Sequence, residues 1–308
     1  MYQCKTGARI NLHSRHCTKA DTIRYAPLPW KKKDTKRKGL KMKNLAYLLE
    51  EITKGYKNLA ADISTSYKQV KKRKNNKVRI MYIPDEKIKT VQKHINKILQ
   101  IRLPKPVYLH TGYKKCKILN VVKEHKMSSL IIVLDIKNFY GSVPTERVFN
   151  FLTQICQLNI DVAKSIFKFI TYRNTIPIGI STSSLVSFWA CKDVFDEIYD
   201  YCVNSEYNMT LYADDIIISG DIKNPNKLIS LVQKTISKAG LSLNHRKIRI
   251  YGKNKRIMNI HVNSKGKLSI NYNLRRSISE LKAKQKLSEQ EKMILQGKLN
   301  YVRQVMNT

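Results

Sequence analysis

The apolar residues of this 308-residue chain follow two spacings, and each spacing predicts a different kind of element. Apolar side chains that recur every three or four residues predict helices with one buried face. These stretches are 45–56, 85–99, 118–125, 146–158, 161–172, 183–204, 224–239 and 274–306, the last with a break at Gly297. Shorter β-prone runs between turn residues predict strands. Those runs are 77–83, 129–134, 209–212, 216–218, 241–244, 247–251, 257–260 and 268–270.

Two adjacent acidic residues interrupt the most β-prone part of this pattern. Asp214 and Asp215 lie between the runs Met209–Tyr212 and Ile216–Ile218, although Asp is depleted in strands. The pattern therefore predicts a hairpin with both carboxylates at or near its tip. Neighbouring residues of a strand point to opposite faces, so a turn is what allows both carboxylates to reach one site. Two like charges this close repel each other, and a multivalent cation relieves that repulsion.

A third acidic residue ends another apolar run. Leu130–Leu134 is continuously apolar, which is typical of a strand buried on both faces, and Asp135 follows it directly. A buried charge is costly unless a cation or hydrogen bonds compensate it. Asp135 is therefore interpreted as a metal ligand. Asp214 and Asp215 alone would more often form a solvated turn, and the similar surroundings of Asp135 argue against that alternative.

Composition adds a strongly charged partner to this picture. Lys and Arg number 59 against 22 Asp and Glu, which gives a formal net charge of +37 at pH 7. This excess predicts a polyanionic partner, with nucleic acid first and an anionic membrane surface second. Residues 1–45 have poor apolar periodicity and are expected to form a basic extension that orders on RNA. Basic residues along 274–306, such as Arg275, are expected to face a phosphate backbone.

The remaining composition bears on the compartment. The six cysteines are scattered and form no CxxC pair, which is typical of a reduced, cytoplasmic protein. No run reaches the roughly 18–20 apolar residues of a membrane span, so no membrane partner is expected. Residues 1–19 contain no apolar segment of signal-peptide length. Cys4, His13, His16 and Cys17 are metal-ligand types, but their spacing fits no common zinc module.

Three carboxylates on neighbouring strands can hold two divalent ions about 4 Å apart, which is the arrangement of a two-metal phosphoryl-transfer site. Asp135, Asp214 and Asp215 are therefore predicted to be catalytic and to bind two Mg²⁺ ions, with Mn²⁺ as an alternative. Ile136, directly after Asp135, is included in the predicted metal site. One ion would lower the pKa of an attacking 3′-hydroxyl, and the other would neutralise a dNTP triphosphate.

Basic residues upstream of the carboxylates suit a triphosphate. Arg79, Lys87, Lys114 and Lys115 are expected to reach it from an opposing lobe. The alternative for the turn that holds Lys114 is a solvated lysine loop.

Lys247, after the third strand, can protonate the leaving group, and its alternative is a surface lysine.

Two further residues are expected to contact the nucleotide. Tyr140, five residues after Asp135, would lie under the incoming sugar and clash with a 2′-hydroxyl, which selects dNTP over rNTP. Its alternative is an aromatic residue of the core. Gly179 permits close approach of a partner to the backbone, because it has no Cβ.

Four segments resemble the motifs of reverse transcriptases, in the same order and with matching spacing. They are Leu134–Tyr140, Pro177–Ser184, Tyr212–Asp215, and Gly240–Asn244 with Lys247. These resemble the first aspartate motif, the motif written PQGxxxSP, the catalytic box and the fourth palm motif. The second segment departs from the usual pattern at Ile178 and Ser184, where Gln and Pro are usual, and this affects the expected contact with the template strand.

The chain is most similar to bacterial retron and retron-like, defence-associated reverse transcriptases. Arg79–Pro84 is similar to their fingers, Gly112–His125 to the stretch that ends in their NAxxH motif, and Gln296–Val302 to the end of their thumb. The resemblance implies an α+β right-hand polymerase, with fingers, a palm built on an antiparallel sheet, and a helical thumb. The implied boundaries are a basic extension at 1–45, fingers at 46–128, palm at 129–262 with fingers insertions at about 145–180, and thumb at 263–308.

The resemblance also implies partners and a role. It implies an RNA-directed DNA polymerase that uses dNTPs and a dedicated non-coding RNA as template and primer, and that makes a DNA product. It further implies anti-phage defence, as in retron msDNA synthesis, with a possible effector protein encoded nearby. The segment equivalent to NAxxH is Val121–His125, and it has no Asn at its first position. Retron enzymes carry a VTG motif in the thumb region, where this chain has Ile257–Asn259. A defence-associated reverse transcriptase outside the retrons is therefore the competing assignment.

Two other functions stay open on the residues alone. Ile178 and Ser184 favour a relative that synthesises DNA without copying a template or under protein guidance. The charge alone would also suit a catalytically silent, basic RNA-binding scaffold, against which the three aspartates argue. No RNase H, endonuclease or maturase domain is expected, which argues against a mobile intron protein.

Overall fold

A computed structural model describes residues 45–56, 67–74 and 77–308 of the chain. The basic extension before Leu45 and the Cys4–Cys17 set lie outside these residues. The helices are α1 (Leu45–Gly55), α2 (Glu86–Arg102), α3 (Ile118–His125), α4 (Phe139–Ser142), α5 (Thr145–Asn150), α6 (Ile160–Ile170), α7 (Ser183–Ala190), α8 (Lys192–Asn204), α9 (Pro225–Ser237), α10 (Tyr272–Lys282) and α11 (Glu289–Met306). The mixture of these helices with antiparallel sheets confirms the predicted α+β class.

Nine strands lie in three antiparallel sheets of the described chain. They are β1 (Tyr67–Lys74), β2 (Lys77–Pro84), β3 (Leu130–Asp135), β4 (Asn208–Tyr212), β5 (Asp215–Gly220), β6 (Arg249–Tyr251), β7 (Lys255–Ile257), β8 (Ile260–Val262) and β9 (Leu268–Ile270). The first two form a hairpin, the next four form a sheet in the order β4-β5-β3-β6, and the last three form a small sheet. We call these the fingers hairpin, the palm sheet and the thumb-base sheet.

The fingers hairpin leads directly into helix α2, which the sequence predicts at 85–99. Asp85 caps this helix, because its side chain accepts a hydrogen bond from the Ile88 N–H at 2.8 Å. Ile88, Val91 and Ile95 face the core and are fully buried, and they recur at the helical spacing seen in the sequence. The capped helix therefore gives the hairpin a fixed base.

The palm sheet is covered on both faces. Ile132 and Leu134 of β3 belong to the large core, which also includes the buried apolar residues of α1 and α2. Ile131 belongs to a second core, which includes the thumb-base sheet and Val305 at the end of α11. This double burial explains why β3 is continuously apolar up to Asp135.

A buried histidine joins helix α3 to the palm sheet. His125 lies 2.6 Å through Nδ1 from the Ser219 hydroxyl and 2.8 Å through Nε2 from the Thr210 hydroxyl. Burial lowers the pKa of His125 to about 4, so the ring is neutral in the folded protein at neutral pH. Both ring nitrogens are satisfied, which is what a buried polar side chain requires.

Three predicted helices are wrong in detail. The stretch 183–204 breaks at Cys191, which lets Phe188 and Phe195 stack with their ring centroids 5.8 Å apart in one core. Helix α5 ends at Asn150 and continues as one π-helical turn, Phe151–Ile155. The stretch 274–306 breaks over 283–288, and Gly297 lies inside α11, since a single helical Gly costs only about 1 kcal/mol.

Two predicted strands are also corrected. Residues 241–244 form only a single β-bridge, between Leu243 and Ile136. The stretch 257–260 is a turn, because Met258 and Asn259 have φ values of 48° and 66°. These left-handed residues connect β7 and β8 in a two-residue hairpin.

No helix in the described part of the chain is long and apolar enough to cross a membrane.

Candidate active site

Strand pairing brings two of the predicted acidic residues face to face. Asp135 ends β3, Asp215 begins β5, and the two are direct partners in the antiparallel register. Partners of this kind have Cα atoms roughly 4.5–5.5 Å apart. The register continues inward through apolar pairs such as Leu134 with Ile216, so the buried strands fix the position of the acidic pair.

The third acidic residue lies in the turn of the β4–β5 hairpin. Tyr212 pairs with Asp215, which leaves Ala213 and Asp214 as a two-residue turn, with φ of 54° at Ala213. The Asp214 carbonyl accepts a hydrogen bond from the Ile136 N–H at 2.8 Å. The turn is thereby attached to the strand end that carries Asp135.

A further segment closes the site from the other side. The Lys137 N–H donates to the Ser242 carbonyl at 2.8 Å, and the Asn244 N–H donates to the Asp135 carbonyl at 2.7 Å. The single turn of 3₁₀ helix that follows, His245–Lys247, brings Lys247 to the carboxylates. The Lys247 Nζ forms an ion pair with the Asp135 Oδ1.

The electrostatics of the site are dominated by crowded negative charge. Asp135 is 6% exposed and Asp215 is half-buried. The pKa of Asp215 is raised to about 7, mainly by burial and also by the carboxylates of Asp214 and Asp135, while Lys247 acts in the opposite direction. Such a group takes up positive charge readily, from either a proton or a cation.

The donor atoms at this site suit a hard divalent cation, because carboxylate and main-chain oxygens are the ligands that Mg²⁺ prefers. The described side chains, however, include no group of three acidic, His or Cys residues placed closely enough to hold a metal as they stand. Asp135 is paired with Lys247 instead. The strand register and the raised pKa of Asp215 nevertheless fit a cation at this position.

Tyr140 lies in α4, directly beyond Asp135. Its hydroxyl lies 3.3 Å from the Ser184 hydroxyl at the start of α7, and its ring packs against Phe139 with centroids 5.5 Å apart. Burial raises the pKa of Tyr140. Asn138 precedes this helix in the left-handed conformation, with φ of 48°, and so turns the chain sharply after β3.

The other predicted nucleotide contacts lie on separate elements. Gly179 is exposed in the loop before α7, with φ of 100°, and a Cβ built there would lie 3.1 Å from the Met81 Cε. Lys87 is exposed in the first turn of α2, and Lys114 is exposed in the turn before α3. Arg79 belongs to β2, and its side chain lies outside the described part of the chain. The roles of these residues stay predictions.

The structure adds contacts that the sequence pattern did not predict. Ser242 and Asn244 act through main-chain atoms, for which the sequence carries no signal. Ser184 was noted only as a departure from the family motif, and its contact with Tyr140 explains how a hydroxyl is used there.

Comparison with known proteins identifies the family of the chain. The family model described as "Reverse transcriptase (RNA-dependent DNA polymerase)" matches residues 70–272. The retron Se72 reverse transcriptase of Salmonella heidelberg (strain 579083-10) is 28% identical over 198 residues, which cover 62% of this chain and 52% of that protein. The retron Ec86 reverse transcriptase of Escherichia coli is 24% identical over 187 residues, which cover 60% and 58%. The chain thus matches little more than half the length of these curated relatives.

A solved structure supports the fold independently of sequence. Telomerase from Candida albicans, in complex with a fragment of telomeric RNA, superposes with a TM-score of 0.51 at 11% sequence identity. The match covers 77% of this chain and 54% of the telomerase chain. At this identity the likeness concerns the fold alone, and it agrees with the predicted right-hand polymerase architecture. With the family model matching about two thirds of its length, the chain belongs to the reverse transcriptase (RNA-dependent DNA polymerase) family, and its curated relatives are bacterial retron enzymes.

Proposed function

We propose that this protein is an RNA-directed DNA polymerase that uses two divalent cations for nucleotidyl transfer. The observation that supports this most directly is the strand register that sets Asp135 opposite Asp215, with Asp214 in the adjoining turn. Reverse transcriptases generally use divalent metal ions, and these oxygen donors suit them. The net charge of +37 suits an RNA template and a DNA product.

Each residue of the site has a defined task in this proposal. Asp135, Asp214, Asp215 and the main-chain carbonyl of Ile136 would hold two Mg²⁺ ions, which supply activation of the 3′-hydroxyl and neutralisation of the triphosphate. The Tyr140 ring supports the sugar of the incoming dNTP. Lys247 reaches the site already, and on leaving Asp135 it can donate a proton to the departing pyrophosphate.

Primer extension on an RNA template with Mg²⁺ tests this proposal. We expect Asp214→Asn to lower kcat by a factor on the order of 10³, because the turn loses one of its charges. Asp221→Asn is a matched control, since Asp221 is an exposed aspartate just beyond the other end of β5. Full activity of Asp214→Asn, or an equal loss in both variants, would overturn the assignment.

The template is proposed to be a dedicated non-coding RNA in an anti-phage defence system, as the retron names of the relatives suggest. Sequencing the RNA that copurifies with the protein from its native host tests this. We expect one structured RNA, encoded beside the reading frame, and DNA complementary to it. A random RNA population, with phage resistance unchanged after deletion, would refute the defence role. An effector protein encoded nearby belongs to the same proposal.

A second function is favoured by one observation. The Ser184 hydroxyl, which stands where the family motif has Pro, is bonded to Tyr140 inside the candidate nucleotide site. This difference would suit DNA synthesis without a copied template. Product sequencing separates the two functions, since a templated product is complementary to the supplied RNA and an untemplated product is not.

A further inference from the structure

One segment between helices α6 and α7 holds the fingers hairpin from both faces. Tyr172 and Thr175 exchange main-chain hydrogen bonds of 2.8 and 3.1 Å around a two-residue turn. Both turn residues, Arg173 and Asn174, are left-handed, with φ of 49° and 55°. A left-handed Arg is uncommon, and residues in such conformations often mark functional positions. The turn fixes where the Tyr172 ring and the Arg173 guanidinium point.

The first contact between this segment and the hairpin is made by aromatic rings. The Tyr172 ring stacks on Tyr67 of β1 with centroids 4.4 Å apart and contacts Tyr82 of β2 at 4.9 Å. The Arg173 guanidinium covers the far side of this cluster, 5.5 Å from the Tyr172 centroid and 5.8 Å from that of Tyr82. Cations over aromatic faces are attracted to them. One short turn thereby contacts both strands of the hairpin.

The cluster is also tied to the helices behind it. The buried Gln92 of α2 donates through Nε2 to the Tyr67 hydroxyl at 2.7 Å and to the Phe169 carbonyl at 2.9 Å. Phe169 lies at the end of α6, three residues before Tyr172. Burial raises the pKa of Tyr67 to about 12, so its hydroxyl stays protonated. The stack is therefore anchored to two elements that do not belong to the hairpin.

The second contact between this segment and the hairpin lies on the opposite face of β2. Neighbouring strand residues point to opposite faces, so Met81 faces away from the side on which Tyr82 meets Tyr172. The Met81 methyl covers Gly179, where an added Cβ would lie 3.1 Å away. Gly179 is in the same segment as Tyr172, seven residues later. Residues 172–179 therefore straddle β2 and connect the hairpin to the loop that leads to Ser184 and Tyr140.

We propose that residues 172–179 form a clamp that sets the position of the fingers hairpin over the nucleotide site, with Tyr172 and Arg173 as positioning residues. This inference rests on the proposed polymerase function. The clamp acts at a distance, because neither residue has to touch the reacting atoms. It places β2, which carries the predicted triphosphate contact Arg79, relative to Gly179 and the carboxylates.

Steady-state kinetics on a homopolymer RNA template test the clamp. We expect Tyr172→Leu to raise the KM for dNTP roughly 10-fold, because a displaced hairpin weakens nucleotide capture, while kcat changes by less than about twofold. Tyr172→Phe keeps the ring and should match the wild type. Arg173→Gln should change the KM in the same direction by a smaller factor. Unchanged kinetics in Tyr172→Leu, or a loss confined to kcat and thermal stability, would overturn the proposal.

Hydrogen exchange on the full chain without nucleic acid gives a readout that needs no activity. Amides of 67–74 and 77–84 should exchange faster in Tyr172→Leu than in the wild type or in Tyr172→Phe, and amides of β3 should not change. Unchanged exchange in the hairpin would refute the clamp even if the enzyme is active. Faster exchange in a protein that extends no primer would support the clamp as a structural device and would refute the polymerase function instead.

Discussion

Tyr140 is held at two points, and this bears on the contact proposed between its ring and the sugar of the incoming nucleotide. Its hydroxyl is bonded to Ser184 and its ring packs on Phe139, so it has little freedom to swing away from a nucleotide. A fixed ring rejects an added hydroxyl by steric conflict, whereas a mobile one would yield. The contact with Ser184 therefore strengthens the predicted selection of dNTP over rNTP.

We expect Tyr140→Ala to accept rNTP more readily, because the ring that would meet the 2′-hydroxyl is gone. The ratio of kcat/KM for rCTP to that for dCTP should rise roughly 10- to 100-fold, as measured by primer extension on one RNA template. Ser184→Ala keeps the ring while removing its hydroxyl partner and should cause a smaller rise. An unchanged ratio in Tyr140→Ala would show that the ring is only a core aromatic.

The acidic residues could be predicted from the sequence, whereas the main-chain groups that hold them in place could not. Asp135 and Asp214-Asp215 interrupt apolar runs, and a charge in such a place is costly unless something compensates it. The main-chain bonds from Ser242 and Asn244 leave no trace in residue type, and Lys247 could equally have been a surface lysine. The Tyr172 cluster was missed because its rings come from segments about a hundred residues apart in the chain.

At the scale of elements, His125 connects α3 to the two strands that form the Asp-Asp hairpin. Ser219 of β5 and Thr210 of β4 both bond to its ring. The ring is neutral when folded, because burial lowers its pKa to about 4 from an ordinary value of 6.5. The unfolded chain therefore binds a proton between these two pH values that the folded chain does not bind.

This pKa difference predicts that the contribution of neutral His125 to stability is fully present above pH 6.5 and is lost as the pH falls toward 4. For the values given, the free energy of unfolding should fall by about 2 kcal/mol between pH 7 and pH 5. Urea unfolding at both pH values measures this. His125→Gln should be less stable at pH 7, but it should lack this share of the pH dependence. An equal fall in the variant would assign the pH dependence to other groups.

The boundaries of helices and strands could be predicted where a local sequence signal decides them. The predictions failed where packing decides the boundary. The Asp85 cap and the Ile88 to Ile95 spacing mark α2 in the sequence, and the structure agrees. The break at Cys191 carries no cap or proline signal, and Phe188 and Phe195 stack across it. The start of α11 did have a signal that was passed over, since Ser288 and Glu291 form a capping box.

At the scale of the whole molecule, positive charge is the dominant property. A formal net charge of +37 over 308 residues implies that binding to a polyanion is driven largely by release of counterions. Arg275 of α10 is exposed, and it is one of the basic residues that the sequence analysis expects to face a phosphate backbone. Affinity for RNA should therefore respond steeply to salt.

Between about 50 and 200 mM salt, we expect the dissociation constant for RNA to rise by roughly 10³-fold or more, as for proteins that contact six or more phosphates. Fluorescence anisotropy with a labelled hairpin RNA measures this. Arg275→Gln should lower the slope of log K against log salt by about one if Arg275 contacts a phosphate. A nearly flat salt dependence would contradict an electrostatic mode of binding.

The order of strands in the palm sheet has a consequence for turnover. Asp135 is carried by an inner strand, since β3 is bonded to β5 on one side and to β6 on the other. Its main chain is thus hydrogen-bonded on both sides without any ligand, so exchange of pyrophosphate for the next substrate in the proposed polymerase would not require this strand to form anew. An enzyme organised in this way can empty and refill its centre in every cycle without refolding the scaffold beneath it.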